Sequence, residues 1–552
     1  MTYAAPIADM RFALEACADL WRLREKFAEL DEDVLAAILE GAGALAGDVL
    51  APLNRSGDRA GVRLEGDAVR AAPGFRAAYE AFRHGGWQGL AADPAHGGQG
   101  LPRAVALAVF ETMHSANMSF GLLPMLTLGA IEALEQHGTA EQKALYLNKL
   151  VSGEWTGTMN LTEPQAGSDL GALMTKAVPQ ADGSYAITGQ KIFITWGEHD
   201  LTDNIVHLVL ARIDGAPAGS QGISMFVAPK ILPDGTRNRV RCIGLEEKMG
   251  IHASPTCTMT FEGATGWLIG EENRGLAAMF TMMNAARLNV GMEGVGVAEA
   301  AYQKALAYAK ERKQGGALIV EHPDVRRMLM TMRAKIQAGR AICYACAVAA
   351  DAGDTAREDL LTPIAKAWCT DLSVECASLG VQVHGGMGYI EEGGAAQFYR
   401  DARIAPIYEG TNGIQAIDLY GRKLVRDRGE AMGALIAEAE EAAGYAQVKQ
   451  LADAAAALRG ATTYMLSAER EDALAGAYAF LRMAGAVAGG MLLARGLSVR
   501  DRRQHHSRLW EHDALFERQR RAMDVYAETV LARTPSLLAE VRLGVAALDE
   551  LG

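Results

Sequence analysis

The 552-residue chain carries 54 lysines and arginines against 67 aspartates and glutamates, a formal net charge of −13, and half of its residues are hydrophobic. Its length suggests about three to five domains, and its apolar content is far above that of disordered chains. The acidic balance makes it a poor candidate for wrapping nucleic acid through its overall field. We therefore expect a globular protein with a large buried core.

The N-terminus, the longest apolar stretch and the cysteines predict a cytoplasmic protein. Residues 1–21 include four charged side chains, so they lack the uninterrupted apolar block of a signal peptide. The most apolar stretch elsewhere, residues 483–494, is shorter than the ~20 residues that a membrane-spanning helix needs. Seven dispersed cysteines do not indicate a disulfide framework. We expect reduced thiols and no membrane span.

The pattern of apolar residues changes along the chain. From about residue 30 to 150 they recur every three or four positions, which predicts an all-helical first third interrupted by glycine-rich loops. From 154 to about 275 the chain instead holds short β-branched segments separated by Gly, Asp and Pro, which indicates a compact β-domain. The predicted strands are 185–188, 191–195, 205–210, 223–227 and 256–261.

After residue 275 the helical spacing resumes and continues to the end of the sequence. Glycines and aspartates, which favour turns, predict breaks at 315–316, 351–354, 385–388 and 393–394. The region from about residue 431 opens with an alanine- and glutamate-rich stretch and reads as an added helical domain. Helices followed by strands and then by helices predict an α+β protein.

Four segments carry groups suited to a ligand or to catalysis. Residues 159–169 and 382–389 expose backbone groups beside glycines, and residues 189–197 hold two aromatics and a hydroxyl on a strand. Residues 407–415 place Glu409 between an apolar approach and a glycine-bearing turn, where burial would raise its pKa and make it a usable base. Taken singly, the four also fit ordinary elements: a capped connector, core aromatics, a helix C-cap and a solvated helix start.

In this order on this chain, the four segments resemble the acyl-CoA dehydrogenase family of flavoproteins. The resemblance runs from about residue 30 to 426 and rests on the LTEPQAGSD run that begins at Leu161 and the YEGT run that begins at Tyr408. The added C-terminal domain and the segments 3–12 and 250–256 resemble a long subgroup of that family. The implied domains are an N-terminal helical domain (1–155), a central β-barrel-like domain (156–275), a C-terminal four-helix bundle (276–430) and an additional helical domain (431–552).

The resemblance implies oxidation of an acyl-CoA thioester to the 2,3-enoyl-CoA. Glu409 would remove the α-proton, the β-hydride would pass to N5 of FAD, and an electron-transfer flavoprotein would receive the electrons. The implied FAD contacts are Leu161, Thr162, Gly167, Ser168, Phe193, Thr195, Arg312, Gln382, Gly386 and Thr411. The implied substrate contacts are Ser168, Asn284, Arg287, Tyr408 and Gly410. No metal is expected, because one CxxC pair, Cys343 and Cys346, lies in a helical segment without a second pair.

Some FAD contacts would come from a neighbouring subunit, which implies a homodimer or homotetramer. The chain departs from the family pattern at Phe193, where many members have Trp, and after Arg312, where Lys313-Gln314-Gly315-Gly316 replaces a Thr-Phe-Gly run. The second departure puts the contact of Arg312 across the subunit boundary in doubt.

Two other functions remain open on the sequence. One is an acyl-CoA oxidase that passes electrons to oxygen, and the other is a non-catalytic acyl-CoA-binding scaffold. The acyl chain is also open between a small thioether group and a medium or long fatty chain, with Leu122, Leu123, Met125 and Leu126 as the residues expected to set pocket depth. The basic run from Arg500 to Arg508 reads as a solvated helix face.

Overall fold

A computed structural model describes residues 3–502 and 513–549, with side chains described up to 498 in the first range. The basic run from Arg500 to Arg508 therefore lies outside the described side chains. By their internal contacts, the residues form two compact units. The first comprises Met1–Ala44, Pro102–Ser115 and Arg287–Gly552, and the second comprises Leu45–Leu101 and Ala116–Ala286.

The described secondary structure mixes long helices with a sheet, which confirms the predicted α+β class. The helices are α1 (Ile7–Arg11), α2 (Glu32–Ala44), α3 (Ala51–Ala60), α4 (Phe75–His84), α5 (Arg103–Ala116), α6 (Met118–His137), α7 (Ala140–Val151), α8 (Gly275–Glu311), α9 (Pro323–Ala352), α10 (Thr355–His384), α11 (Gly386–Tyr389), α12 (Ala395–Ala402), α13 (Asn412–Asp418), α14 (Glu430–Ala446), α15 (Lys449–Ser467), α16 (Arg470–Arg502), α17 (Asp513–Thr529) and α18 (Leu537–Val541). The strands are β1 (Arg63–Glu65), β2 (Ala68–Arg70), β3 (Thr156–Asn160), β4 (Lys176–Pro179), β5 (Tyr185–Thr195), β6 (Ile205–Ile213), β7 (Ser224–Pro229), β8 (Val240–Leu245), β9 (Thr256–Ile269), β10 (Lys313–Gln314) and β11 (Ala317–Leu318).

The sheet of the second unit closes on itself. Strands β6, β4, β5, β9 and β7 pair in that order, and β7 pairs back to β6, while β3 joins β6 and β8 joins β9. Alternating apolar side chains of these strands, such as Val209, Phe226 and Phe261, point into one buried core. The ring of strands confirms the predicted barrel-like β-domain.

Several predicted boundaries in this unit were wrong. The predicted strands 185–188 and 191–195 form one strand, β5, which carries irregularities rather than a turn. Strands β3, β4 and β8 were missed, because their short segments lack a run of β-branched residues. The first third is not wholly helical either, since β1 and β2 form a hairpin whose Val69 is buried in the barrel core.

The first unit is built from long helices, and the turn residues end them where predicted. Gly315 and Gly316, both with positive φ, turn the small β10–β11 hairpin that interrupts the predicted helical region. At the next break, Asp354 caps α10 by accepting from the backbone N–H of Arg357 at 3.1 Å. Helix α16, which belongs to the added C-terminal region, packs against α9, α10 and α13.

A charged network lies in the helical core of this unit. The guanidinium of Arg340 on α9 donates to Glu111 on α5 at 2.6 Å and to Glu299 on α8 at 3.0 Å, and these three side chains are almost fully excluded from solvent. A buried charge requires partners of this kind, so the network joins three helices at a defined register.

Within the part of the chain that the structure describes, three helical segments are long and apolar enough, by length and composition, to cross a membrane. They are Glu32–Ala60, Met118–His137 and Arg470–Ser498, and the share of their most apolar window that is buried inside the protein is 33%, 83% and 89%. For the last two, packing within the protein accounts for the apolar composition. Charged or polar residues interrupt the apolar positions of these segments, so an uninterrupted apolar stretch does not reveal them in the sequence. The absence of a membrane span remains a prediction.

Candidate active site

The loop that carries Glu409 has an unusual backbone. Glu409 and Gly410 both adopt positive φ, 55° and 84°. Glycine tolerates this region, but a glutamate there costs on the order of 1 kcal/mol and persists only where its surroundings hold it. Gln415 supplies part of that restraint, because its Nε2 atom lies 3.2 Å from the carbonyl oxygens of both Glu409 and Gly410. The restrained backbone thus fixes the position from which the Glu409 side chain extends.

Lys366 on α10 supplies a second restraint. Its buried ammonium donates to the carbonyl oxygen of Gly410 at 2.8 Å and to Oδ1 of Asn412 at 2.9 Å. Asn412 in turn donates through Nδ2 to Oδ1 of Asp371 at 2.8 Å. Burial lowers the pKa of Lys366 to about 7, although the Glu409 and Asp371 carboxylates favour its charged form. Lys366 was not singled out from the sequence, yet it joins the Glu409 loop to α10.

The environment of Glu409 suits a carboxylate that must accept a proton. Burial raises the pKa of Glu409, while the positive charges of Arg287 and Lys366 oppose that rise. Arg287, a predicted substrate contact, is buried on α8 and forms an ion pair with Asp418 at 3.3 Å. A weakly solvated carboxylate near two cations can remain ionised and still act as a base near neutral pH.

Tyr408, also predicted to contact substrate, directs its hydroxyl into the protein interior. The hydroxyl donates to Oε2 of Glu293, a fully buried carboxyl on α8. Burial raises the pKa of Glu293 to about 8, against the hydrogen bond from Tyr408 and the charge of Lys366. The residue before Glu409 is therefore anchored by a buried acid that sequence reasoning missed. The role of Tyr408 toward substrate stays a prediction.

Glu293 predicts a measurable dependence of stability on pH. Its folded-state pKa lies above its ordinary value of 4.5, so its contribution to folding is full below about pH 4.5 and is lost as the pH rises through about 8. Glu293→Gln removes this titration and keeps an oxygen for Tyr408. As the pH rises from 5 to about 8, the wild type should lose stability that the variant keeps. The unfolding free energy of the variant minus that of the wild type should therefore increase by a few kcal/mol. Denaturant unfolding across that range measures it; parallel curves, as expected for the exposed control Glu311→Gln, would contradict it.

In the second unit, the Leu161 to Ser168 loop is fastened by Glu163. Both oxygens of this buried carboxylate accept hydrogen bonds: Oε1 from the backbone N–H and hydroxyl of Thr175 at 3.1 and 2.6 Å, and Oε2 from the N–H of Met174 at 2.7 Å. Lys191 on β5 donates to Oε1 of Glu163 at 2.8 Å and to the carbonyl oxygen of Leu161 at 2.9 Å. The loop is thus pinned to the barrel by an interior ion pair.

Each charge of this pair affects the pKa of the other residue. Burial opposes ionisation of Glu163, but the Lys191 ammonium and the surrounding donors outweigh it and lower the pKa of Glu163 to about 2. Burial lowers the pKa of Lys191 to about 8 despite the attraction of Glu163. Glu163 lies in the LTEPQAGSD run and Lys191 in the predicted strand 191–195, but no role was predicted for either residue. A lone charge inside an apolar run is the signal that could have identified Lys191, Glu293 and Lys366.

The outer side of the same loop lies open beside Phe193. The backbone N–H of Ile192 donates to the carbonyl oxygen of Thr162 at 2.9 Å, which joins the loop to β5. Phe193 has a φ of 59° and its ring is 58% exposed, whereas Trp196 is fully buried and donates to the carbonyl oxygen of Ser119. The alternative of two core aromatics therefore fits Trp196 but not Phe193, which was predicted as an FAD contact. An exposed ring beside an open, glycine-bearing loop is a surface that a flat cofactor could cover.

The remaining predicted residues differ in their exposure to solvent. In the first unit, Thr411 lines a cleft of about 830 Å³ together with Asn412, Gly413 and Tyr478, and its hydroxyl caps α13 by accepting from Ile414. The other predicted residues with exposed side chains or backbone are Gly167, Ser168, Asn284, Arg312, Gln382 and Gly386. Thr195 is partly buried, and the predicted pocket-depth residues Leu122, Leu123, Met125 and Leu126 are buried in α6. Binding of FAD or substrate by these residues stays a prediction.

Four family models match the chain in succession. They describe the N-terminal, middle and C-terminal domains of acyl-CoA dehydrogenase, at residues 37–154, 158–264 and 273–424, and a domain termed acetyl-CoA dehydrogenase C-terminal like, at 430–551. The fourth match covers the added helical domain. Together they cover most of the chain between residues 37 and 551.

Individual proteins agree with this assignment. The chain is 47% identical over 537 residues to 3-methylmercaptopropionyl-CoA dehydrogenase of Ruegeria pomeroyi, covering 90% of this chain and 91% of that one. It is 36% identical to a butyryl-CoA dehydrogenase of Syntrophomonas wolfei, covering 79% and 78%. A chain in the solved structure of the electron transferring flavoprotein of Acidaminococcus fermentans is 30% identical with a TM-score of 0.65, covering 72% and 99%. The chain therefore belongs to the acyl-CoA dehydrogenase family and is an oxidoreductase.

Proposed function

We propose that this enzyme oxidises a short acyl-CoA thioester, 3-methylmercaptopropionyl-CoA, to its 2,3-enoyl-CoA with Glu409 as the base. The observation that carries the proposal is the half-buried Glu409 side chain, held in a left-handed loop by Lys366 and near the positive charge of Arg287. The Cα proton of a thioester is only weakly acidic, so a carboxylate removes it efficiently only when it is held in line and shielded from water. The contacts of Lys366 and Gln415 provide that fixed position.

Stabilisation of the developing negative charge is the second requirement. By the family resemblance, the backbone N–H of Glu409 donates to the thioester carbonyl, and this N–H belongs to the restrained loop. A preorganised donor of this kind lowers the barrier because it need not reorient during the reaction. The neighbouring positive charges of Arg287 and Lys366 also favour the ionised form of Glu409 before proton transfer.

The chain offers surfaces that fit FAD, the cofactor proposed for it. Bound FAD would supply the hydride acceptor. Leu161, Thr162, Gly167 and Ser168 border an open loop, and a Cβ added at Gly167 would meet no atom of the described residues within 4 Å. Phe193 presents its exposed ring beside that loop, with Thr195 on the same strand. Thr411 faces the cleft of about 830 Å³, and Arg312, Gln382 and Gly386 are exposed for contacts with the adenine half.

The substrate is proposed from the relatives. The 47% identity is to an enzyme named for the thioether substrate, and the 36% identity is to one named for butyryl-CoA, so both indicate a short acyl chain. We expect anaerobic addition of 3-methylmercaptopropionyl-CoA to bleach the flavin spectrum, with kcat/KM at least about tenfold above that for palmitoyl-CoA. Valeryl-CoA, which replaces the sulfur by a methylene, is the matched control for chain length. A preference for palmitoyl-CoA would reject the substrate, and a protein that takes up no FAD would favour the scaffold function.

The electron acceptor is proposed to be an electron-transfer flavoprotein. The same preparation can be assayed in air with and without that acceptor. Rapid peroxide formation without it would favour the acyl-CoA oxidase alternative.

We also propose a homodimer or homotetramer, since some cofactor contacts would come from a neighbouring subunit. A cytoplasmic location is supported by seven cysteines that are all free and buried.

A further inference from the structure

The added C-terminal region reaches the base loop through one side chain. Tyr478 lies on α16, and its hydroxyl donates to Oδ2 of Asp371 on α10. The other oxygen of Asp371 accepts from Nδ2 of Asn412 at 2.8 Å. Asn412 is the second residue after Gly410, and its own Oδ1 accepts from Lys366. A continuous chain of hydrogen bonds therefore runs from the added domain to the loop that carries the base.

We propose that Tyr478 is a positioning residue for the reaction, through which the added C-terminal domain holds the Glu409 loop in its reactive geometry. The inference rests on the proposed role of Glu409 as base. Tyr478 acts by fixing Asp371, Asp371 fixes the amide of Asn412, and the amide orients Lys366 toward the carbonyl oxygen of Gly410.

The loop needs these contacts because its backbone conformation is strained at Glu409. Two consecutive residues with positive φ, one of them a glutamate, relax unless several contacts oppose them. Asn412 is well suited to transmit a restraint, since its amide nitrogen lies 3.1 Å from the carbonyl oxygen of Ala367 and 3.0 Å from the hydroxyl of Thr370. Loss of the Tyr478 contact would leave one oxygen of Asp371 without its donor from α16.

The charges around Asp371 make the effect readable in a pH profile. The groups that face it are Tyr478 and Arg482 on α16, Asn412 on α13 and Lys366 on its own helix. Burial raises the pKa of Asp371, and the hydrogen bonds from Tyr478 and Asn412 lower it. Removing the Tyr478 hydroxyl should therefore raise this pKa further. A protonated Asp371 holds Asn412 less well. As the pH is lowered, the activity of the variant should therefore begin to fall at a higher pH than the activity of the wild type.

The test compares Tyr478→Phe with Tyr445→Phe, a matched change on α14 of the same domain, where the hydroxyl contacts the exposed Glu441. Rates are normalised to bound flavin. We expect Tyr478→Phe to lower kcat by about tenfold with KM changed less than about twofold, and to move the acid limb of the kcat profile up by about one pH unit. The Tyr445→Phe enzyme should match the wild type. Equal kcat and equal pH profiles for all three proteins would overturn the proposal.

A double-variant cycle separates positioning through Asp371 from local packing. If Tyr478 acts through Asp371, then Tyr478→Phe should add no further loss of kcat to Asp371→Ala. An additive loss would mean that Tyr478 acts elsewhere, and would reject the relay. Failure of the proposed function has a different signature, because a wild-type flavin that no acyl-CoA bleaches refutes the role of Glu409 without reference to Tyr478.

Discussion

Replacing Glu409 by glutamine is expected to lower the rate of flavin bleaching by substrate by about 10⁴-fold while FAD remains bound. The amide has nearly the shape of the carboxylate but cannot accept the α-proton. The contacts that hold the loop involve the carbonyl oxygens of Glu409 and Gly410, not the carboxylate, so the backbone should keep its geometry. Anaerobic stopped-flow spectroscopy of the flavin measures the rate, and the absorbance of the purified protein measures the bound cofactor.

Two further variants define what the Glu409→Gln result means. Glu409→Asp keeps a carboxylate but withdraws it by one methylene, so its rate should lie between those of the wild type and the amide. Glu392→Gln, at an exposed glutamate on the same unit, should leave the rate unchanged. Wild-type turnover by Glu409→Gln would show that another group is the base, whereas loss of FAD from it would show that the substitution had disturbed the fold.

The place of Glu409 in a tight turn could be predicted from the sequence, but the contacts that hold it could not. The YEGT run from Tyr408 and its apolar approach identify a carboxylate in a tight turn. Its principal anchor, Lys366, comes from a helix 44 residues away from Gly410, and a local pattern does not specify which distant side chain fills such a position. Glu293 was missed for the same reason, because its contact with Tyr408 spans 115 residues.

The barrel shows the same division between local pattern and long-range pairing. Runs such as those in β6 and β7 are mostly apolar, since both faces are largely buried, and were predicted as strands. Strand β3 contains two threonines, a glycine and an asparagine, and only its parallel pairing with β6 makes it a strand. The outward turn of Phe193 likewise depends on an irregularity between β5 and β9, which propensity does not reveal.

Replacing Lys191 by methionine is expected to lower the unfolding free energy by about 3 kcal/mol and to release FAD. Methionine keeps much of the volume of the buried stem but leaves the Glu163 charge in the interior without its cation, and removal of one member of a buried pair costs about that much. It also removes the hydrogen bond to the carbonyl oxygen of Leu161, the first residue of the open loop. Denaturant unfolding and the ratio of flavin to protein absorbance measure the two effects.

The double variant Lys191→Met with Glu163→Gln tests the electrostatic reason. It removes both charges, so most of the lost stability should return, while FAD should still bind weakly because Leu161 remains without its donor. The pH dependence gives a second check. The depressed pKa of Glu163, about 2, contributes stability above its ordinary value of 4.5 that is lost as the pH falls toward 2, and this loss should be absent from the double variant. If the single and double variants were equally unstable, the cause would be a packing defect at residue 191 rather than an uncompensated charge.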